Sequence, residues 1–157
     1  MKKKRVVIIS LLLLLVSVIG ISSYFLFKDK INLLDVDHSA VDWNGKKQKD
    51  TSGEENTIAI PGFEKVTLYA NETKQAVNFH NPEINDCYFK ISLIHPDGSV
   101  LWISDLIEPG KGMYSIELEK TLAVGEYENA VLKYECFFLN DQSPLNGSEI
   151  NLKLVVV

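Results

Sequence analysis

Residues 87–104 read CYFKISLIHPDGSVLWIS, and this stretch decides the fold. Successive side chains of a strand point to opposite faces. Cys87, Phe89, Ile91 and Leu93 therefore form one apolar row, predicted inward, and Tyr88, Lys90 and Ser92 form the outward row. The run breaks at His95-Pro96-Asp97-Gly98-Ser99. There Pro presets φ, Asp closes a turn and Gly takes positive φ, which is a hairpin signal. Two registers follow from it. A type I turn with a G1 bulge sets His95 opposite Ser99 and Ser92 opposite Trp102, so that Trp102 points outward. A two-residue Asp97-Gly98 turn instead sets Trp102 against Leu93 and buries it. An outward Trp102 offers a flat contact for a sugar ring or a partner protein.

The same alternation recurs at 132–138, LKYECFF. Leu132, Tyr134, Cys136 and Phe138 are predicted inward, with Lys133, Glu135 and Phe137 outward. Around these two strands lie further short β-type runs at 57–60, 65–70, 76–81, 100–104, 113–118 and 149–157, and the second strand itself extends over 126–140. They are punctuated by Pro61-Gly62, Asn81-Pro82, Pro109-Gly110, Val124-Gly125 and Asn146-Gly147. Seven or eight strands in about 100 residues, with no amphipathic stretch long enough for a packed helix, predict an all-β, two-sheet antiparallel sandwich over 57–157.

Cys87 and Cys136 are the only cysteines. Both fall on predicted inward faces, which suggests a disulfide pinning the two sheets. Closing a loop of about 50 residues would stabilise by roughly 3–4 kcal/mol in the chain-entropy picture. Two free buried thiols, or contact between adjacent strands without a bond, are the alternatives. Tyr127 follows the turn at Gly125 and resembles the tyrosine corner of immunoglobulin-like sandwiches, a structural role in which the hydroxyl bonds nearby backbone.

Before the β-rich part, residues 6–27 read VVIISLLLLLVSVIGISSYFLF, 22 residues without a charge. As a helix they would measure roughly 33 Å, enough for a hydrocarbon core of about 30 Å. Lys2, Lys3, Lys4 and Arg5 precede the run, so residues 1–5 are a basic cytoplasmic tail and the C-terminus lies outside the cytoplasmic membrane. A cleaved signal peptide, leaving a secreted domain, is the rival; its apolar region is usually about 7–15 residues long. Residues 28–56 are polar and charged, ending WNGKKQKDTSGEEN, and read as a stalk reaching near 30 Å as a flexible coil, by roughly 5–6 Å × √29.

Charge follows the same division. Of 16 basic and 21 acidic residues, four basic and no acidic ones lie in residues 1–27, which leaves 12 against 21 and a net charge of −9 beyond them. An acidic exported domain repels nucleic acid, so no nucleic-acid partner is expected. The chain has no phosphate-binding loop, nucleophile elbow, zinc-protease helix or dinucleotide glycine pattern. His38, His80 and His95 are scattered. Asp35, Asp37, His38 and Asp42 form a loose acidic cluster without the spacing of a calcium loop and read as stalk charge. No catalytic residue, metal site or cofactor is assigned.

Four stretches, IAIPGFEKVTLYA (58–70), FHNPEINDCYFKISL (79–93), DGSVLWISDLIEPG (97–110) and LAVGEYENAVLKYECF (122–137), resemble small membrane-anchored envelope proteins of Gram-positive bacteria. That resemblance implies an immunoglobulin-like sandwich and a surface location, and carries over no catalytic residue. The expectation is a non-catalytic binding module on the outer face of the cytoplasmic membrane, its partner an envelope protein or a glycan. Trp102, Tyr88, Lys90 and Phe137 are its candidate contact residues. A structural subunit of an envelope assembly is the runner-up, with Gly20 and Ser23 allowing close helix packing. A wall-acting hydrolase comes third.

Overall fold

The β-branched and aromatic runs form strands because alternate residues can be buried while the backbone pairs laterally. The computed structural model describes residues 33–45 and 57–157. The predicted basic tail, the membrane span 6–27 and stalk residues 28–32 and 46–56 lie outside the described residues. Among the described residues no helix is long and apolar enough to cross a membrane.

Leu34–Val157 form one unit. Its strands are β1 (Val41–Asp42), β2 (Lys65–Leu68), β3 (Lys74–His80), β4 (Cys87–Ile94), β5 (Val100–Ile103), β6 (Lys111–Glu117), β7 (Gly125–Phe138) and β8 (Pro144–Val156). They make two sheets, ordered β1-β6-β3 and β2-β8-β7-β4-β5. One core joins the inner rows of both. Phe79, Met113 and Ile116 come from the smaller sheet; Leu68, Phe89, Ile91, Leu93, Leu132, Tyr134 and Leu154 come from the larger. The fold is thus all-β with two facing sheets. It is not wholly antiparallel, because β2 runs parallel to β8.

The stretch that decides the fold combines both registers weighed for it. The turn is the bulged one: Gly98 N–H donates to the His95 carbonyl (2.8 Å), His95 N–H donates to the Ser99 carbonyl (2.9 Å), and Gly98 has φ +85°. A second irregularity follows. Ile94 pairs with Val100 but Leu93 pairs with Trp102, so Leu101 is an extra residue on β5. That one-residue insertion reverses the facing of everything beyond it. Trp102 is consequently 7% exposed, packed 5.8 Å from the Phe79 ring. The outward placement of Trp102 is corrected by this bulge.

Other boundaries differ for local reasons. Residues 57–60 are not a strand; Ala59 exchanges its N–H and C=O with the side-chain amide of buried Asn85 (2.8 and 2.9 Å) instead of with a neighbouring strand. Asn146-Gly147 is no turn. β8 begins earlier, at Pro144, and carries this pair as an extra residue opposite Glu135, between the Tyr134–Ser148 and Cys136–Leu145 pairs. Gly is required there, since a Cβ on Gly147 would collide with the Tyr134 carbonyl oxygen. A bulge on β7 between Tyr127 and Ala130 places Asn129 at φ +61°. Phe138 has inward parity but is the last residue of β7 and stands 45% exposed.

The segment read as mid-stalk belongs to the domain. Val41 and Asp42 pair with Gly112 and Lys111 of β6. Asp37 N–H donates to the Leu106 carbonyl, Leu106 N–H to the Asp35 carbonyl, and Trp43 N–H to the Gly110 carbonyl. Gln142 clamps Leu34 from both sides, accepting its N–H (2.6 Å) and donating to its carbonyl (3.0 Å). Sequence offers little warning of this, because a docked segment held mainly by backbone bonds can be polar throughout.

Candidate functional site

The outer face of the five-stranded sheet gathers most of the residues that the sequence singles out. Tyr88 lies directly opposite Phe137, and Lys90 directly opposite Glu135, on the central pair β4 and β7. The next pairs along are Ser92 with Lys133 and Ile94 with Val131. Ile103 of β5 and Glu149 of β8 extend the Ser92–Lys133 row on either side. Three of the four candidate contact residues are therefore neighbours, half-buried among one another. Trp102 lies on the opposite face, in the core.

The β8 bulge shapes this surface. Where Asn146-Gly147 leave the ladder opposite Glu135, a depression of about 350 Å³ opens, lined by Lys133, Glu135, Phe137, Pro144, Gly147 and Glu149 among others. Lys133 and Glu135 stand 3.6 Å apart across its floor. The patch carries Lys90, Lys133, Glu135 and Glu149, and so balances its charges on a domain that is otherwise acidic. Chemically it offers an aromatic and prolyl platform at one end (Tyr88, Phe137, Pro144) and alternating cations and carboxylates beside it. That is a surface for contact and hydrogen bonding.

Most groups whose acidity the fold moves lie elsewhere; Tyr134 and Cys136, which also border the depression, are buried. The Asp97 carboxyl is held far down by the Ser99 hydroxyl and N–H and by His95, all within the hairpin turn. The Lys153 ammonium is held up by Glu126 and Glu128 at 2.8 and 2.7 Å, spanning the β7 bulge. Burial pushes the Tyr134 hydroxyl up. Burial likewise pushes the His80 imidazole down. Tyr127 donates its hydroxyl proton to the Ala123 carbonyl (2.9 Å), four residues back, as a corner residue does.

Cys87 and Cys136 are unbonded and buried. They sit on one sheet, not on two: Cys136 pairs with Phe89 and Cys87 with Phe138, which makes the cysteines diagonal neighbours on adjacent strands. Diagonal Cα atoms lie about 7–8 Å apart, beyond the usual reach of a disulfide. The predicted inter-sheet bridge is corrected on that ground. The thiols stay free, and the Cys136 thiol is held up by its neighbour Cys87 and by burial.

The loose acidic cluster does not converge either. The Asp37 carboxylate accepts the Ser39 N–H and hydroxyl and the Asp105 N–H, while Asp42 pairs with Lys111. Among the described residues no three His, Cys, Asp or Glu side chains come together as a metal site. One cluster went unforeseen: His80, Trp43 and Tyr114 stack in a row, with the Tyr114 hydroxyl bonded to Asn44. An isolated Trp in a polar tract was the one signal for it.

No protein-family model matches the chain, and neither a curated protein nor a solved structure is similar to it.

Proposed function

We propose that this chain is a membrane-anchored, extracytoplasmic interaction module, an immunoglobulin-like sandwich that binds an envelope protein or glycan through the outer face of its larger sheet. The observation that carries this reading is the Tyr88–Phe137 pair, set side by side on the outward face next to a charge-balanced depression. Aromatic side chains with a polar rim are what protein and sugar contacts favour. The immunoglobulin-like assignment is supported by the strand order, with β2 parallel to the last strand, and by the Tyr127 corner. It accords with the resemblance to small Gram-positive envelope proteins. The anchor and the outside orientation are supported by the charge-free run 6–27 behind Lys2–Arg5. A non-catalytic role is supported by the shifted acids and bases, which are engaged in turns, ion pairs and core.

A photo-crosslinking residue at Glu135, introduced into the full-length protein in intact cells, tests the reading. The expected result is a discrete crosslinked species lost in the Tyr88→Ala/Phe137→Ala variant and retained when residues 6–27 are exchanged for an unrelated apolar helix. Crosslinking indifferent to the double substitution would overturn the face. Crosslinking lost on the helix exchange would favour an assembly subunit that works through its anchor.

A further inference from the structure

We propose that the β7–β8 hairpin tip, Phe138 and Leu139, docks on the lipid surface that holds the chain; this rests on the anchor reading above. The two residues are consecutive, apolar and 45% and 42% exposed. Phe138 has the parity of a core residue, yet it stays exposed among the described residues; its partner Cys87 across the ladder is buried. The turn beyond is tightly organised. Phe138 N–H donates to the Ser143 carbonyl, Gln142 N–H donates to the Phe138 carbonyl, and Asp141 accepts the Ser143 N–H. The apolar pair is therefore presented on a fixed loop.

Position along the chain selects the occupant. Gln142 of this same loop holds Leu34 by two hydrogen bonds. Leu34 is the first residue of the unit that holds the sheets, and the charge-free run ends at Phe27. Only residues 28–33 intervene, which span roughly 20 Å at full extension. A stalk that would reach further is shortened, because residues 34–45 are spent on the domain. The chain thus enters the domain beside the exposed tip. An apolar pair tethered within that distance of a bilayer lowers its free energy by entering the interfacial zone, where aromatic rings are favoured. The Asp141 carboxylate, three residues beyond Phe138, keeps the insertion shallow. Docked in this way, the long axis of β7 would lift the Tyr88–Phe137 face no more than one side-chain row above the headgroups, so the partner would be a membrane-proximal one.

The test attaches an environment-sensitive NBD fluorophore to Leu139→Cys in the full-length protein, reconstituted in phosphatidylcholine vesicles. The native thiols are buried and stay unlabelled in the folded state. Val124→Cys is the control, because Val124 is 72% exposed and precedes the far end of β7, roughly 40 Å away at strand rise. The expected result is emission at least twofold brighter at position 139 than at 124, quenched by lipids spin-labelled near the headgroup. Equal, unquenched emission at both positions in protein that resists alkaline carbonate would overturn the docking and leave the anchor standing. Release of the protein by carbonate would overturn both. Brightness that rises with protein-to-lipid ratio but ignores the spin labels would assign the tip to a second copy of the chain, and the proposal would fail.

Discussion

The Trp43 indole lies parallel to the His80 imidazole, with ring centroids 3.9 Å apart and planes 7° apart. Tyr114 continues the stack at 5.3 Å from Trp43. The Trp43 Nε1 and His80 Nδ1 atoms are buried without a hydrogen-bond partner among the described residues, so this contact lives on ring faces and buried area. It locks the segment that enters the domain onto the β3–β6 pair. Truncating a fully buried Trp costs about 3–5 kcal/mol. Trp43 is half-buried, so Trp43→Ala should cost roughly 2 kcal/mol by that scale, and Trp43→Phe less. Urea unfolding of the detergent-solubilised chain, followed by circular dichroism, measures it. A midpoint unchanged by Trp43→Ala would show the stack to be incidental.

His80 gives that junction a pH dependence. It is 4% exposed, and burial holds its imidazole below the ordinary value of 6.5. The unfolded chain takes up the His80 proton near pH 6.5, the folded chain only at lower pH. Between those values the unfolded state binds more protons, so stability is fully present above pH 6.5 and falls as pH drops. The ion pair on the adjoining β1–β6 register, Asp42 with Lys111, sits outside this window: Lys111 holds the Asp42 carboxyl down and is itself held up. Thermal melts at pH 7.5 and 5.5 should show a drop in Tm that shrinks in His80→Phe. Equal drops in both proteins would assign the effect to other groups.

Trp102 reports on the β5 bulge. With Leu101 inserted between the Ile94–Val100 and Leu93–Trp102 pairs, its indole is in the core. In the Trp43→Phe variant it is the sole tryptophan, and its emission should be blue-shifted and resistant to acrylamide. In the reverse variant, Trp102→Phe, Trp43 should quench several-fold more readily. Exposed-type emission from Trp102 would mean that the unbulged register holds.

How far the sequence carries the fold is visible in that same strand. Period-2 burial of Cys87, Phe89, Ile91 and Leu93, and of Leu132, Tyr134 and Cys136, is legible because each side chain reports its own face. The turn at 95–99 is legible because Pro, Asp and Gly have local backbone reasons to be there. The insertion at Leu101 is not legible, since any apolar residue can occupy a bulge and the choice is made by what Trp102 packs against. The docking of residues 34–45 was hidden for a related reason, being specified by backbone pairing to Leu106, Gly110 and Gly112. Of the candidate site, the neighbours Tyr88, Lys90 and Phe137 were predictable from parity. The depression beside them was not, because it arises from a bulge that reads as a turn.

The cysteines should behave as two inert thiols. Both are buried, and each pairs directly with a phenylalanine and only diagonally with the other. A thiol reagent such as Ellman's should find almost none in the folded chain and two per chain in guanidinium without reductant. The mass should be unchanged by reduction. Reactivity appearing only after reduction would mean that β4 and β7 are drawn together by a bond that this geometry does not favour.

Gly147 is where the proposed contact face is most sensitive to a single atom. A Cβ there would strike the Tyr134 carbonyl oxygen and lie 3.4 Å from the Glu135 Cα, both backbone and unable to rotate away. At Gly62, by contrast, a Cβ would meet nothing within 4 Å. Gly147→Ala should therefore destabilise by roughly 1–3 kcal/mol, the range for overpacking, while Gly62→Ala should leave the unfolding midpoint in place. Relief of the clash can come only by moving β8 away from β7, which widens the depression between Lys133, Glu135 and Glu149. Gly147→Ala should consequently weaken crosslinking at Glu135 even under conditions where the chain remains folded. Full crosslinking in a folded Gly147→Ala protein would mean that the partner does not sense the shape set by this bulge.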